Sequence, residues 1–308
     1  MNQKTEIQRF GYYIPRPNGT FDAVVNAEVL SPNVLSEMDK VVKVVFDLQP
    51  IIFAFNVVEN NYRELIDSIQ GYRSRLNTIT SNMAIPSAFV MDGLILASQR
   101  INNLLSSASA FLAYAEANLR NLHGKDSLEL AAWHKKRQDV HATSFSYRFL
   151  YALRNYAQHR SIPLSRFNIS GKRVADIEMA FKVTLLILRD EILDNGYDWK
   201  KLRAEIEQQP AEIDLLPIAE EYLHGLRQIC LEAMSFHSKQ LALCGRYFDA
   251  WKNEMQMPDG AVPVVYIGES HSPTDLPPSK CNFIPMEQYQ YIRHKYEQLI
   301  KASGNDYK

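Results

Sequence analysis

SAFVMDGLILASQRINNLLSSASAFLAYAEANLRNL, residues Ser87–Leu122, follows Pro86 and continues to Gly124 without another proline. It is rich in Ala, Leu and Asn. Its Leu104, Leu105, Phe111, Leu112, Ala115 and Leu119 recur at the spacing of a helix largely buried by its neighbours. Gly124 is its stop signal. The same 3.6-residue period recurs on both sides. Upstream, Glu59–Leu76 places Tyr62, Leu65, Ile66, Ile69 and Tyr72 on one helical face. Downstream, Asp126-Ser127 caps a third helix through Glu129, Leu130 and Trp133. A fourth helix is expected from about Thr143 to Ser161, ended by Pro163. Ile218–Met255 reads as one long amphipathic helix. Pro285 opens a last short one carrying Tyr289, Ile292, Tyr296, Leu299 and Ile300.

The remainder is punctuated differently. Gly11, Pro15, Pro17, Asn18-Gly19 and Ser31-Pro32 mark an extended N-terminal segment, and Asn-Gly suggests a hairpin within it. Phe167–Leu188 is ambiguous, because FKVTLLIL suits a buried strand or the middle of a helix. Met257–Pro285 holds six prolines in 29 residues and reads as a structureless, surface-running arm. The expected organisation is an extended segment over 1–32, a helical core over 33–251, a Pro-bearing arm over 252–284 and a terminal helix over 285–308. The fold class is mainly α, with minor β elements near Phe10–Val25 and Phe181–Leu188.

Composition bounds the function. The 308 residues are 46% hydrophobic and 22% charged, enough for a sizeable core. Gly and Pro, 12 and 14 residues, fall below the average usage of roughly 12%, against Gly-rich, collagen-like or linker architectures. Lys plus Arg number 34 against 35 Asp plus Glu, a net charge of −1, so any nucleic-acid site must be local. Cys230, Cys244 and Cys281 make no disulfide framework and include no CxxC pair. The N-terminus lacks the apolar core of a secretory signal. In Val41–Val58, Lys43, Asp47, Gln49 and Pro50 interrupt the apolar run short of the ~18 residues of a membrane span. No membrane association and a reducing, cytoplasmic setting are therefore expected.

Most chemical signatures are missing: no GxxxxGK[ST], GxGxxG, GxSxG or HExxH is present. His134 and His141 share a helical face with Asp139 nearby, but a metal would need further ligands, so WHKKRQDVH reads as a solvated helix surface. No metal and no cofactor are expected. Cys230 and Cys244 read as core thiols on one helix face. The acidic stretch Glu205–Asp214 reads as a solvated edge.

Phe145–Pro163, FSYRFLYALRNYAQHRSIP, is different. Projected on a helix, Phe149, Ala152, Leu153 and Tyr156 form one core stripe. Arg154, Gln158, Tyr151, Asn155, Arg148 and His159 fill an opposite arc from about 180° to about 320°. Two arginines, a histidine, two amides and a tyrosine suit the gripping of phosphate. His159 also falls in the last turn, where the helix dipole favours an imidazolium.

Arg154-Asn155-Tyr156-Ala157-Gln158-His159 resembles the R-x4–6-H pattern, with Asn after the Arg, of the HEPN superfamily. The similarity covers about a fifth of the chain, roughly Ile101–Leu164. It implies a HEPN-like helical bundle and, from family members in toxin–antitoxin and antiphage systems, a metal-independent endoribonuclease acting as a homodimer. Arg154, Asn155 and His159 would be the catalytic set, with Arg148, Gln158 and Tyr151 on the RNA or its phosphates. A separate antitoxin or partner protein is also implied. The residues leave a second reading open: a non-catalytic helical protein that uses the same polar face for protein interaction or for sensing a phosphorylated ligand.

Overall fold

A computed structural model describes residues 6–77, 85–173, 179–268 and 280–304. The chain opens on a hairpin, β1 (Ile7–Pro15) and β2 (Phe21–Val25). Its turn glycine, Gly19, has φ 82°, a conformation that would strain an L side chain. Asn18 holds the turn by accepting from the amide and hydroxyl of Thr20. The helices α1 (Pro32–Leu76), α2 (Ser87–His123), α3 (Leu128–Thr143) and α4 (Phe145–His159) follow. Next come β3 (Arg166–Arg173), β4 (Met179–Leu188), α5 (Arg189–Asp194), a 3-10 turn at Lys200–Leu202, α6 (Arg203–Glu207) and β5 (Glu212–Asp214). The chain continues through α7 (Leu215–Ser235), α8 (Ser238–Glu254), β6 (Val262–Gly268), β7 (Lys280–Phe283) and α9 (Met286–Gly304). The fold is mainly α, with two small antiparallel sheets ordered β2-β1-β6-β7 and β3-β4-β5.

Two compact units divide the chain. One is contiguous, Ile51–Ala233; the other joins the residues up to Pro50 with those from Met234 onward. In the contiguous unit α1 and α2 meet through edge-on rings, Phe55 on Phe111 at 5.2 Å and Tyr72 on Phe89 at 5.0 Å. Tyr72 also meets Phe167 of β3 at 5.2 Å. Gly93 of α2 admits that ring, since a Cβ there would lie 2.7 Å from it. The ambiguous run FKVTLLIL is the central strand β4, paired on both sides. Burial of Val183, Leu185, Leu186 and Ile187 explains why it shows no alternation.

In the discontinuous unit, Phe10 of β1 packs on Trp251 of α8 at 5.9 Å, and Phe248 on Tyr289 of α9 at 4.9 Å. The expectation of a structureless arm is corrected here. β6 lies inside the sheet with Val264 and Val265 buried, and β7 pairs with it. Pro263 falls near the start of β6, where a missing N–H costs the ladder least. The stretch 269–279 of that arm lies outside the described residues.

Two further expectations change. The single helix over Ile218–Met255 is two, α7 and α8, broken at residues 236–237. Cys230 and Cys244 are therefore both buried, but on different helices. The apolar run Val41–Val58 is continuous helix, with Pro50 inside α1 and Lys43 paired to Asp47 at 2.6 Å one turn on. By length and composition alone α1 is long and apolar enough to cross a membrane, with an 18-residue window of mean hydropathy 1.8, but 44% of that window is buried and a core helix meets the same criterion.

Candidate functional site

The site is built on α4 and its junction with α3. One residue, Ser144, both ends α3 and caps α4, its Oγ accepting from the Tyr147 amide at 3.1 Å. The Ser144 and Ser146 hydroxyls donate to the two oxygens of Glu221 on α7, at 2.6 and 2.7 Å. Of the stripe read from periodicity Phe149, Leu153 and Tyr156 are buried and Ala152 is half-buried, while Leu150, outside that stripe, is buried as well. Phe149 and Tyr156 lie on the Trp199 ring at 6.0 and 5.4 Å, and Tyr156 Oη accepts from Asn195 at 2.6 Å. Of the opposite arc, Tyr151, Gln158 and His159 are exposed, while Arg148, Arg154 and Asn155 are half-buried.

The six residues of that arc have different fates. Arg154 and Asn155 are half-buried and joined, Arg154 Nη1 donating to Asn155 Oδ1 at 3.1 Å. No carboxylate pairs with Arg154 among the described residues, and its buried Nε has no hydrogen-bond partner there. Gln158 and His159 are exposed at the C-terminal end, His159 being the last residue of α4. Arg148 points its charge inward instead. It meets Glu205 of α6 through Nε at 3.1 Å and Nη2 at 2.5 Å, and its Nη1 donates to the carbonyls of His141 and Ala142. Glu205, expected on a solvated edge, is thus the counter-ion of this corner. Tyr151, 42% exposed, lies toward α3 in a different setting.

That setting is a cavity of about 370 Å³ lined by His134, Arg137, Gln138 and His141 of α3 with Tyr147 and Tyr151 of α4. The segment WHKKRQDVH, read as a solvated surface, forms one of its walls. Glu116 of α2 serves three cationic or titratable groups: Arg120 at 2.7 Å, Arg137 at 3.3 Å and His134 at 3.9 Å. The Arg137 guanidinium also lies 5.0 Å from the Trp133 ring centroid. Burial holds His141 below its usual value, the charge of Arg148 adds to this and Arg137 adds a little more, while Glu205 opposes it. Burial raises the Tyr147 phenol, with Arg137 working against it. Tyr222 of α7, 5.4 Å from the Tyr147 ring, is raised by its complete burial. Among the described residues no three His, Cys, Asp or Glu side chains are placed to hold a metal ion.

Compared with protein-family models, curated proteins and solved structures, the chain has no match.

Proposed function

We propose that the chain is a metal-independent endoribonuclease of HEPN type, working as a homodimer whose α4 helices pool their polar arcs. The observation that carries this reading is the contrast between the two arginines of α4. Glu205 neutralises Arg148, whereas Arg154 is held by a neutral amide and keeps its full charge for an anion.

In this reaction the RNA 2′-hydroxyl attacks the adjacent phosphorus and the bond from phosphorus to the 5′ oxygen breaks. The proton lost by the 2′-hydroxyl ends on that 5′ oxygen, with His159 as its carrier. Arg154 neutralises the charge that grows on the phosphorane oxygens. Asn155 positions Arg154 through their hydrogen bond. Gln158 and Tyr151 contact flanking RNA. Arg154 and His159 are about 140° apart around one helix, so a site assembled across two helices suits them better than one within a single helix. The products carry 2′,3′-cyclic phosphate ends, and DNA, lacking the nucleophile, is inert. A separate antitoxin or partner protein would restrain such an activity.

The test is cleavage of total tRNA and a structured messenger in EDTA by the wild type, His159→Ala and Arg154→Ala, each purified separately. Cleavage by the wild type alone, leaving cyclic ends, supports the reading. Equal cleavage by all three, or none by a well-folded wild-type dimer, overturns it in favour of a non-catalytic binding protein.

A further inference from the structure

We propose that the cavity between α3 and α4 is a binding site for a free nucleoside monophosphate, with Arg137, His134 and His141 on the phosphate and Tyr151 and Gln138 on the base. The inference shares Tyr151 with the nuclease reading, which sets that ring on flanking RNA, but not the catalytic pair, because neither Arg154 nor His159 lines this cavity.

Three features point to that ligand class. The first is size: about 370 Å³ lies at the small end of the ~300–1,000 Å³ of small-molecule sites, too large for inorganic phosphate alone and suited to a single nucleotide. The second is charge. Arg137 is the formally charged residue of the lining, and its partner Glu116, outside the lining, is shared with Arg120, while two imidazoles add donors. On the other side Arg148 and Glu205 cancel each other. The third is the opposite wall. Tyr151 is 42% exposed and supported by Tyr147, whose ring lies within 9° of parallel at 6.3 Å. An aromatic ring so placed offers a stacking surface to a base, and the Gln138 amide offers both a donor and an acceptor to its edge.

Titration calorimetry on the full chain, with AMP, adenosine, inorganic phosphate and a short RNA as separate titrants, tests the proposal. AMP should bind, with adenosine and phosphate each at least about tenfold weaker. Tyr151→Ala should weaken AMP about tenfold and leave the phosphate affinity unchanged. Arg137→Gln should weaken both AMP and phosphate, with a circular-dichroism melt confirming its fold. His159→Ala should bind AMP like the wild type even if it loses RNA cleavage, which separates this site from the nuclease reading. Absence of AMP binding at millimolar concentration overturns the proposal. So does AMP affinity unchanged by both Tyr151→Ala and Arg137→Gln, or binding of the short RNA without AMP.

Discussion

Arg148 and Glu205, 57 residues apart in sequence, meet through two hydrogen bonds, Nε to Oε1 at 3.1 Å and Nη2 to Oε2 at 2.5 Å. The same guanidinium caps the carbonyls of His141 and Ala142 in the last turn of α3. Those carbonyls have no intrahelical partner, so one side chain closes the α3–α4 corner and satisfies a helix end. A planar fork with five donors can do this; an ammonium cannot.

Arg148→Gln should therefore lower stability by about 1–3 kcal/mol, between the worth of an exposed pair and a fully buried one. Urea denaturation measures it. RNA affinity well below the melting temperature should change little, whereas a large loss there would assign Arg148 a direct phosphate contact.

His159→Ala should behave in the opposite way. The side chain is exposed at the end of α4, so its removal should shift stability by no more than about 0.5 kcal/mol. Cleavage should fall to background in the same preparation. Arg154→Lys should not restore the activity lost in Arg154→Ala, because an ammonium cannot reproduce the planar contact to a phosphorane. Calorimetry beside gel-based cleavage reads both effects.

The imidazole of His141 should titrate below its ordinary value of 6.5 in an NMR pH series. Its folded value is depressed, so neutral His141 contributes stability that is present above about pH 6.5 and lost as pH falls through the folded value. Arg148→Gln should move its titration upward, since it removes a nearby positive charge and frees Glu205 to favour the imidazolium. A value at or above 6.5 in the wild type would contradict this account of the corner.

One substitution should act with opposite signs at two glycines. At Gly93 a Cβ would meet the Phe167 ring at 2.7 to 2.9 Å, so Gly93→Ala should destabilise by about 1–3 kcal/mol through overpacking. At Gly71, exposed in α1 with nothing within 4 Å, Gly71→Ala should stabilise by about 0.5–1 kcal/mol through helix propensity. Thermal melts of the two variants compare them directly.

The helices were the legible part of this sequence because their signals are local. Pro86 and Gly124 bracket α2 to within a residue, and Ser127 caps α3 as its identity suggests, accepting from the Leu130 amide. β6 was not legible. Pro263 and the five other prolines of Met257–Pro285 read as loop, and its partner β1 is remote in sequence, so only long-range pairing makes it a strand. The break between α7 and α8 carries neither glycine nor proline. Of the candidate site, the polar arc of α4 could be read from periodicity, but the inward turn of Arg148 could not, since Glu205 is remote in sequence. The cavity did leave a trace. His134, Arg137, Gln138 and His141 stand at i, i+3, i+4 and i+7, the spacing usually sought among apolar residues and here carried by polar ones.

The pairing of Ile7 with Gly268 sets an order of events during synthesis. The contiguous unit, Ile51–Ala233, has all its residues available once Ala233 has been made. The sheet of the other unit must wait: β1 emerges early but cannot gain β6 until the ribosome has passed Gly268. Until then the β1–β2 hairpin presents an unpaired edge, a span in which a nascent chain is open to wrong partners and to chaperones.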